Sequence, residues 1–157
     1  MISSLRGSAV HVEPGALIVE VGGVGFSVAV PAALARGTHL GDAVHLHTAL
    51  IVREDALSLY GFSSREELSA FLLLISVTGV GPKSALGVMS ALTVDQIATA
   101  VAGEDDAPFR KVSGIGPKTA KLIVRSLTGK LLAPVGGGVQ GVDAPPTTTA
   151  AVTAALM

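Results

Sequence analysis

Cysteine is absent from the 157 residues, which excludes a disulfide framework, a thiolate nucleophile and a cysteine-ligated zinc site, and with them thiol redox chemistry. A chain without cysteine fits a reducing cytoplasm. Long apolar runs are also missing: the densest stretch, Phe71 to Val77, is interrupted by Ser76 and is too short to span a bilayer. The opening residues Met1 to Gly7 lack the charged segment and apolar core of an export signal, so a soluble cytoplasmic protein with no membrane partner is expected. An excess of positive charge is lacking as well. The formal net charge is -1, so any nucleic-acid site must come from local placement of charge. What the chain has is apolar material: 49% hydrophobic against 15% charged residues, enough for one or two compact cores and too much for global disorder.

Residues 1 to 62 read as β. The segments Ala16 to Val21 and Val24 to Val30 flank Gly22-Gly23, a pair suited to a tight hairpin. Ile2 to Arg6, Ala43 to Arg53 and Ala56 to Phe62 add further short strands, and five or six of them punctuated by glycine predict a small OB-like barrel. At Ser63 the period changes. Ser63 and Glu66 make a capping box, and Leu68, Phe71, Leu72 and Ile75 follow the i, i+3, i+4, i+7 spacing of a buried helical face. A helical domain is predicted over 63 to 132. Residues 133 to 149, rich in glycine, proline and threonine, read as a flexible linker. Residues 150 to 157 read as the start of another helix, too short to be stable alone.

The helical domain contains a repeat. Thr78-Gly79-Val80-Gly81-Pro82-Lys83-Ser84-Ala85 is matched 35 residues later by Ser113-Gly114-Ile115-Gly116-Pro117-Lys118-Thr119-Ala120. The match continues into the helices, with Ala85, Val88, Met89 and Leu92 answered by Ala120, Ile123, Val124 and Leu127. The loop has a physical logic. Two glycines turn the backbone tightly, the apolar residue between them anchors the hairpin, and proline opens the next helix. Amides left open at a helix N-terminus form an anion site, to which Lys83 and Lys118 add charge. Gly79, Val80, Gly81, Lys83 and Ser84 form the first candidate phosphate clamp; Gly114, Ile115, Gly116, Lys118, Thr119 and Lys121 form the second. Contacts of this kind ignore base sequence and weaken as salt rises.

Other readings compete. Each glycine loop read alone is a turn between packed helices. Neither loop has a nucleotide-binding spacing, since Thr78 stands where the earlier glycine of a phosphate loop would be needed. A base-excising enzyme would need a catalytic carboxylate or lysine beside a deep pocket, whereas Asp95, Glu104, Asp105 and Asp106 fall between the repeats on an expected exposed connection. His45-Leu46-His47 alternates as a strand face does, and a metal site is the lesser reading of it. No cofactor is expected. A third reading makes the barrel a protein-interaction module with the hairpins as scaffold.

The combination of Glu20-Val21-Gly22-Gly23-Val24-Gly25-Phe26, Val52-Arg53-Glu54-Asp55, Leu59-Tyr60-Gly61-Phe62 and tandem helix-hairpin-helix loops resembles the RuvA family of bacterial Holliday-junction-binding subunits over residues 1 to 132. The resemblance implies an α+β multidomain chain: an OB-like barrel, then an all-α domain with two helix-hairpin-helix motifs, then a flexible linker to a C-terminal helical domain that binds the motor. Only the start of that last domain, at 150 to 157, would be present. It implies a non-catalytic homotetramer, or an octamer of two sandwiching tetramers, that holds a four-way DNA junction open in recombination and repair. It implies two partners, the AAA+ ATPase RuvB and the resolvase RuvC. It places Glu54 and Asp55 on an acidic pin at the tetramer centre, where negative charge repels phosphates. Read from the residues alone, the same pair is a polar turn between strands. Some relatives carry a basic residue in place of Pro117, leaving Lys118 and Lys121 to hold the second phosphate, with Arg125 one turn further on.

Overall fold

A computed structural model of the chain describes residues 1–131; the expected linker at 133 to 149 and the expected helix start at 150 to 157 lie outside the described residues. Five strands, β1 (Ser4–Glu13), β2 (Ala16–Val21), β3 (Val24–Ala29), β4 (Ala43–Arg53) and β5 (Ala56–Phe62), close a barrel in the order β1-β2-β3-β5-β4. The expected barrel is therefore present. Alternation turns Leu17 and Val19 of β2 inward with Leu5, Val28, Leu46 and Leu59 to form its core. Gly22 and Gly23 have φ of 59° and 89°, the two positive values that a tight β2-β3 turn demands.

β1 runs to Glu13 and not only to Arg6, because one strand serves two neighbours: Ser4 to Ser8 pair with β4, and Ser8 to Glu13 pair with β2. Gly7 sits at that change of partner. A Cβ there would collide with the Glu20 carbonyl oxygen and press on the Val21 side chain. Gly7→Ala is expected to destabilise the fold by about 1–3 kcal/mol through forced overpacking. A urea titration checks this, and an unchanged midpoint would contradict the close approach.

A five-residue helix, α1 (Ala32–Arg36), lies between β3 and β4 and buries Ala35; no periodic pattern in the sequence predicts it. Five further elements follow: α2 (Arg65–Ile75), α3 (Pro82–Ala91), α4 (Val94–Ala102), α5 (Ala107–Arg110) and α6 (Pro117–Leu127). The start of α2 is corrected by one residue. Ser64 is the N-cap and its hydroxyl accepts the Glu67 amide at 3.1 Å, while Glu67 takes the Ser63 amide and hydroxyl. Of the expected face, Phe71 is buried and Leu68 and Ile75 pack against the core, joined by Ala70 and Leu74, whereas Leu72 points to solvent.

The helical core does not stop at the helices. Tyr60 and Phe62 of β5 belong to it, with ring centroids 5.2 and 4.9 Å from Phe71, and Ala49 and Ile51 of β4 pack against it. The Ser90 hydroxyl of α3 adds a tie to α1, accepting the Ala32 amide at 3.0 Å. The barrel thus seats the helices on its β4-β5 side. Among the described residues no single helix is long and apolar enough to cross a membrane.

Candidate nucleic-acid interface

The two hairpins have one geometry. Gly79 and Gly114 both have φ of 91°, a left-handed conformation that favours glycine. The Val80 and Ile115 amides donate to Val77 and Val112 at 3.0 and 3.1 Å, and all four of these side chains are buried. Gly81 and Gly116 cap α3 and α6 with φ/ψ of -90°/175° and -86°/176°, and proline follows each. The hairpins also pack on each other reciprocally. A Cβ on Gly79 would lie 3.5 Å from the Thr119 hydroxyl, and a Cβ on Gly114 would lie 3.1 Å from the Ser84 hydroxyl. The structure therefore brings Gly79 to Ser84 and Gly114 to Thr119 together as one two-sided unit. The repeat is less complete ahead of the second hairpin. The counterpart of the long α2 is reduced to the single turn of α5, which keeps Phe109 buried where the first unit has Leu74.

The capping pattern separates these helices from their neighbours. α2 and α4 begin with side-chain caps, Ser64 and Thr93, the latter in a full capping box with Gln96. α3 and α6 begin with glycine and have no side-chain cap. Nothing lies within 4 Å of a Cβ placed on Gly81 or Gly116, and their extended φ/ψ suits any residue. Packing does not require glycine there. The first-turn amides of both helices, those of Lys83, Ser84, Lys118 and Thr119, lack a side-chain acceptor, and the positive end of each helix dipole is left open.

Charge is distributed to match. Residues 1–62 carry three Lys/Arg against five Asp/Glu, whereas residues 63–131 carry eight against six. Lys83, Lys118 and Lys121 are exposed, and none is in an ion pair among the described residues. Glu54 and Asp55 form the two-residue tip of the β4-β5 hairpin, beyond the last pair Arg53 and Ala56. Every side chain from Val52 to Ser58 is exposed, including paired Val52 and Leu57 at 66% and 71%, so the tip projects from the barrel.

The remaining candidates stay apart. Asp95 lies in the first turn of α4, so the expected exposed connection is partly a nine-residue helix. Asp105 accepts the Ala107 amide, and Asp106 is 3.4 Å from Arg110. The rings of His45 and His47 are 4.9 Å apart, and among the described residues no group of three or more ligating side chains is placed to hold a metal ion.

Comparison with known proteins agrees with this geometry. The family model described as RuvA N terminal domain matches residues 1–61, and the one described as SAM-like helix-hairpin-helix tandem matches residues 71–128. A Leifsonia xyli protein named Holliday junction branch migration complex subunit RuvA is 55% identical over 133 residues, 85% of this chain and 64% of its own length. Its namesake from Clavibacter michiganensis is 51% identical over 157 residues, 100% of this chain and 73% of its own length. A Staphylococcus aureus namesake is 45% identical over 131 residues, 83% of this chain and 66% of its own length. Identity of this extent across both the barrel and the tandem hairpins shows that the chain belongs to the RuvA family.

Proposed function

We propose that this chain binds four-way DNA junctions by their shape, holding phosphates at the two hairpins, and serves as the non-catalytic DNA-binding subunit of a branch migration complex. One observation carries the reading: of the four longer helices, the two that open from hairpins leave their N-termini uncapped behind glycines that packing does not require. Such an end favours an anion, and an uncapped pair 35 residues apart in sequence favours a repeated anion such as a nucleic-acid backbone. The clamp residues are Gly79, Val80, Gly81, Lys83 and Ser84, and Gly114, Ile115, Gly116, Lys118, Thr119 and Lys121. None of these contacts reads a base, so selectivity falls to the arrangement of subunits around the junction.

In this reading residues 1–62 form the tetramer contacts and residues 63–132 grip DNA in the cytoplasm. A homotetramer places four acidic tips, each Glu54 and Asp55, together at its centre. Negative charge there repels a continuous duplex and tolerates the open crossover of a junction. RuvB supplies ATP hydrolysis, and RuvC cleaves the junction. Glu54→Lys with Asp55→Lys is expected to tighten duplex binding about tenfold, by turning repulsion into attraction, and to erode junction preference equally. Competition between a fixed junction and linear duplex reads both numbers. Undiminished junction preference would remove the pin from the mechanism.

A further inference from the structure

Duplicated helices allow one face to be compared with its own copy. Lys83, Leu86 and Ser90 of α3 correspond, at the offset of 35, to Lys118, Lys121 and Arg125 of α6. Of the first set only Lys83 is exposed and free among the described residues; Leu86 and Ser90 are engaged within the molecule. Leu86 packs against the helical core, and Ser90 accepts the Ala32 amide at the start of α1. The second set is free. Lys118, Lys121 and Arg125 are exposed and lie at i, i+3 and i+7, on the side of α6 opposite buried Ala120, Ile123 and Leu127. No ion pair within 4.0 Å engages any of the three among the described residues.

We infer that α6 carries a phosphate track that α3 lacks, with Lys121 and Arg125 extending the second clamp along the DNA backbone, so that the two hairpins are equal in geometry and unequal in electrostatics. The inference rests on the junction-binding reading and goes beyond it by adding Arg125 and ranking the clamps. At a rise of 1.5 Å per residue the three cations span about 10 Å, roughly three nucleotides of axial rise on one strand. The track is continuous with the open amides of Lys118 and Thr119. It has one bounded side: Lys121 and Arg125 line a groove of about 300 Å³ whose other lining includes Glu104 and Asp106. Asp106 is held by Arg110, so Glu104, in no ion pair among the described residues, supplies the rim's unpaired negative charge, which disfavours a second backbone on that side.

Salt dependence of junction binding tests this directly, because each lost phosphate contact lowers the slope of log K against log salt by about 0.9. Lys121→Ala with Arg125→Ala is expected to lower the slope by about 1.8 per bound protomer, Lys83→Ala by about 0.9, and Arg36→Ala in α1 by nothing. An unchanged slope in the Lys121/Arg125 variant, with the parent still binding, overturns the track and leaves the junction reading intact. An equal fall with Arg36→Ala assigns the effect to net charge and also overturns it. A parent that shows no salt-dependent binding to the junction removes the functional reading itself, and this inference with it.

Discussion

Aspartate at both hairpin caps, Gly81→Asp with Gly116→Asp, is expected to leave the protein as stable as the parent or slightly more so, and to abolish its grip on DNA. The fold accepts the change because both glycines are extended and have open space in front of them. The new carboxylates would accept the Ser84 and Thr119 amides, as Ser64 accepts Glu67 in α2, and would sit favourably at the helix dipole. A gain of a few tenths of a kcal/mol per helix is the order of magnitude. Binding changes in the opposite sense. The caps occupy the donors a phosphate would use and oppose its charge, a loss of about 1.5–3 kcal/mol per clamp, or about tenfold to a hundredfold each. Thermal melting and junction titration of one preparation separate the two effects. Parental affinity in a well-folded double variant would rule out the helix ends as the phosphate site.

Phe71→Ala is expected to cost about 3–5 kcal/mol, the range for emptying a fully buried aromatic site. Against a total of about 5–15 kcal/mol for a typical domain, that is a large share. The position is unusual because Phe71 contacts Tyr60 and Phe62 of β5, so one α2 side chain joins the barrel to the helical core. Its removal also loosens the seat that orients the hairpins relative to the Glu54-Asp55 tip. Denaturant unfolding followed by circular dichroism measures the first effect, and junction preference in the surviving folded fraction measures the second. A loss under about 1 kcal/mol would mean that the aromatic trio does not hold the two parts together.

Much of this was legible in the residues. Gly22-Gly23 between two alternating strands marked the hairpin, and the matched runs at 78 to 85 and 113 to 120 marked both helix-hairpin-helix loops and the inward faces behind them. Ala85, Val88 and Met89, like Ala120, Ile123, Val124 and Leu127, are buried as their spacing predicts. The errors came where local signals were degenerate. Ser63-Ser64 is followed by Glu66-Glu67, so either serine has a glutamate three residues on; the structure uses Ser64 as the cap and Glu67 to hold Ser63. The leucines at 72 to 74 blur the phase of the same helix, which put Leu72 inward when it is exposed. α1 is too short for periodicity to reveal. The structural role of Ser90 was hidden because it reads as a surface serine until its tie to Ala32 is seen. Likewise, the contacts of Gly79 with Thr119 and of Gly114 with Ser84 join residues about 40 and 30 positions apart, beyond any local pattern.

Recognition of DNA by shape is tested most directly by titrating the protein into a fixed four-way junction and a linear duplex of the same sequence, at two salt concentrations and with excess competitor. Two clamps per subunit around an acidic centre predict a marked preference for the junction at both salts, unchanged when the arm sequences are permuted, with affinity falling as salt rises. Equal affinity for the linear duplex would contradict shape recognition.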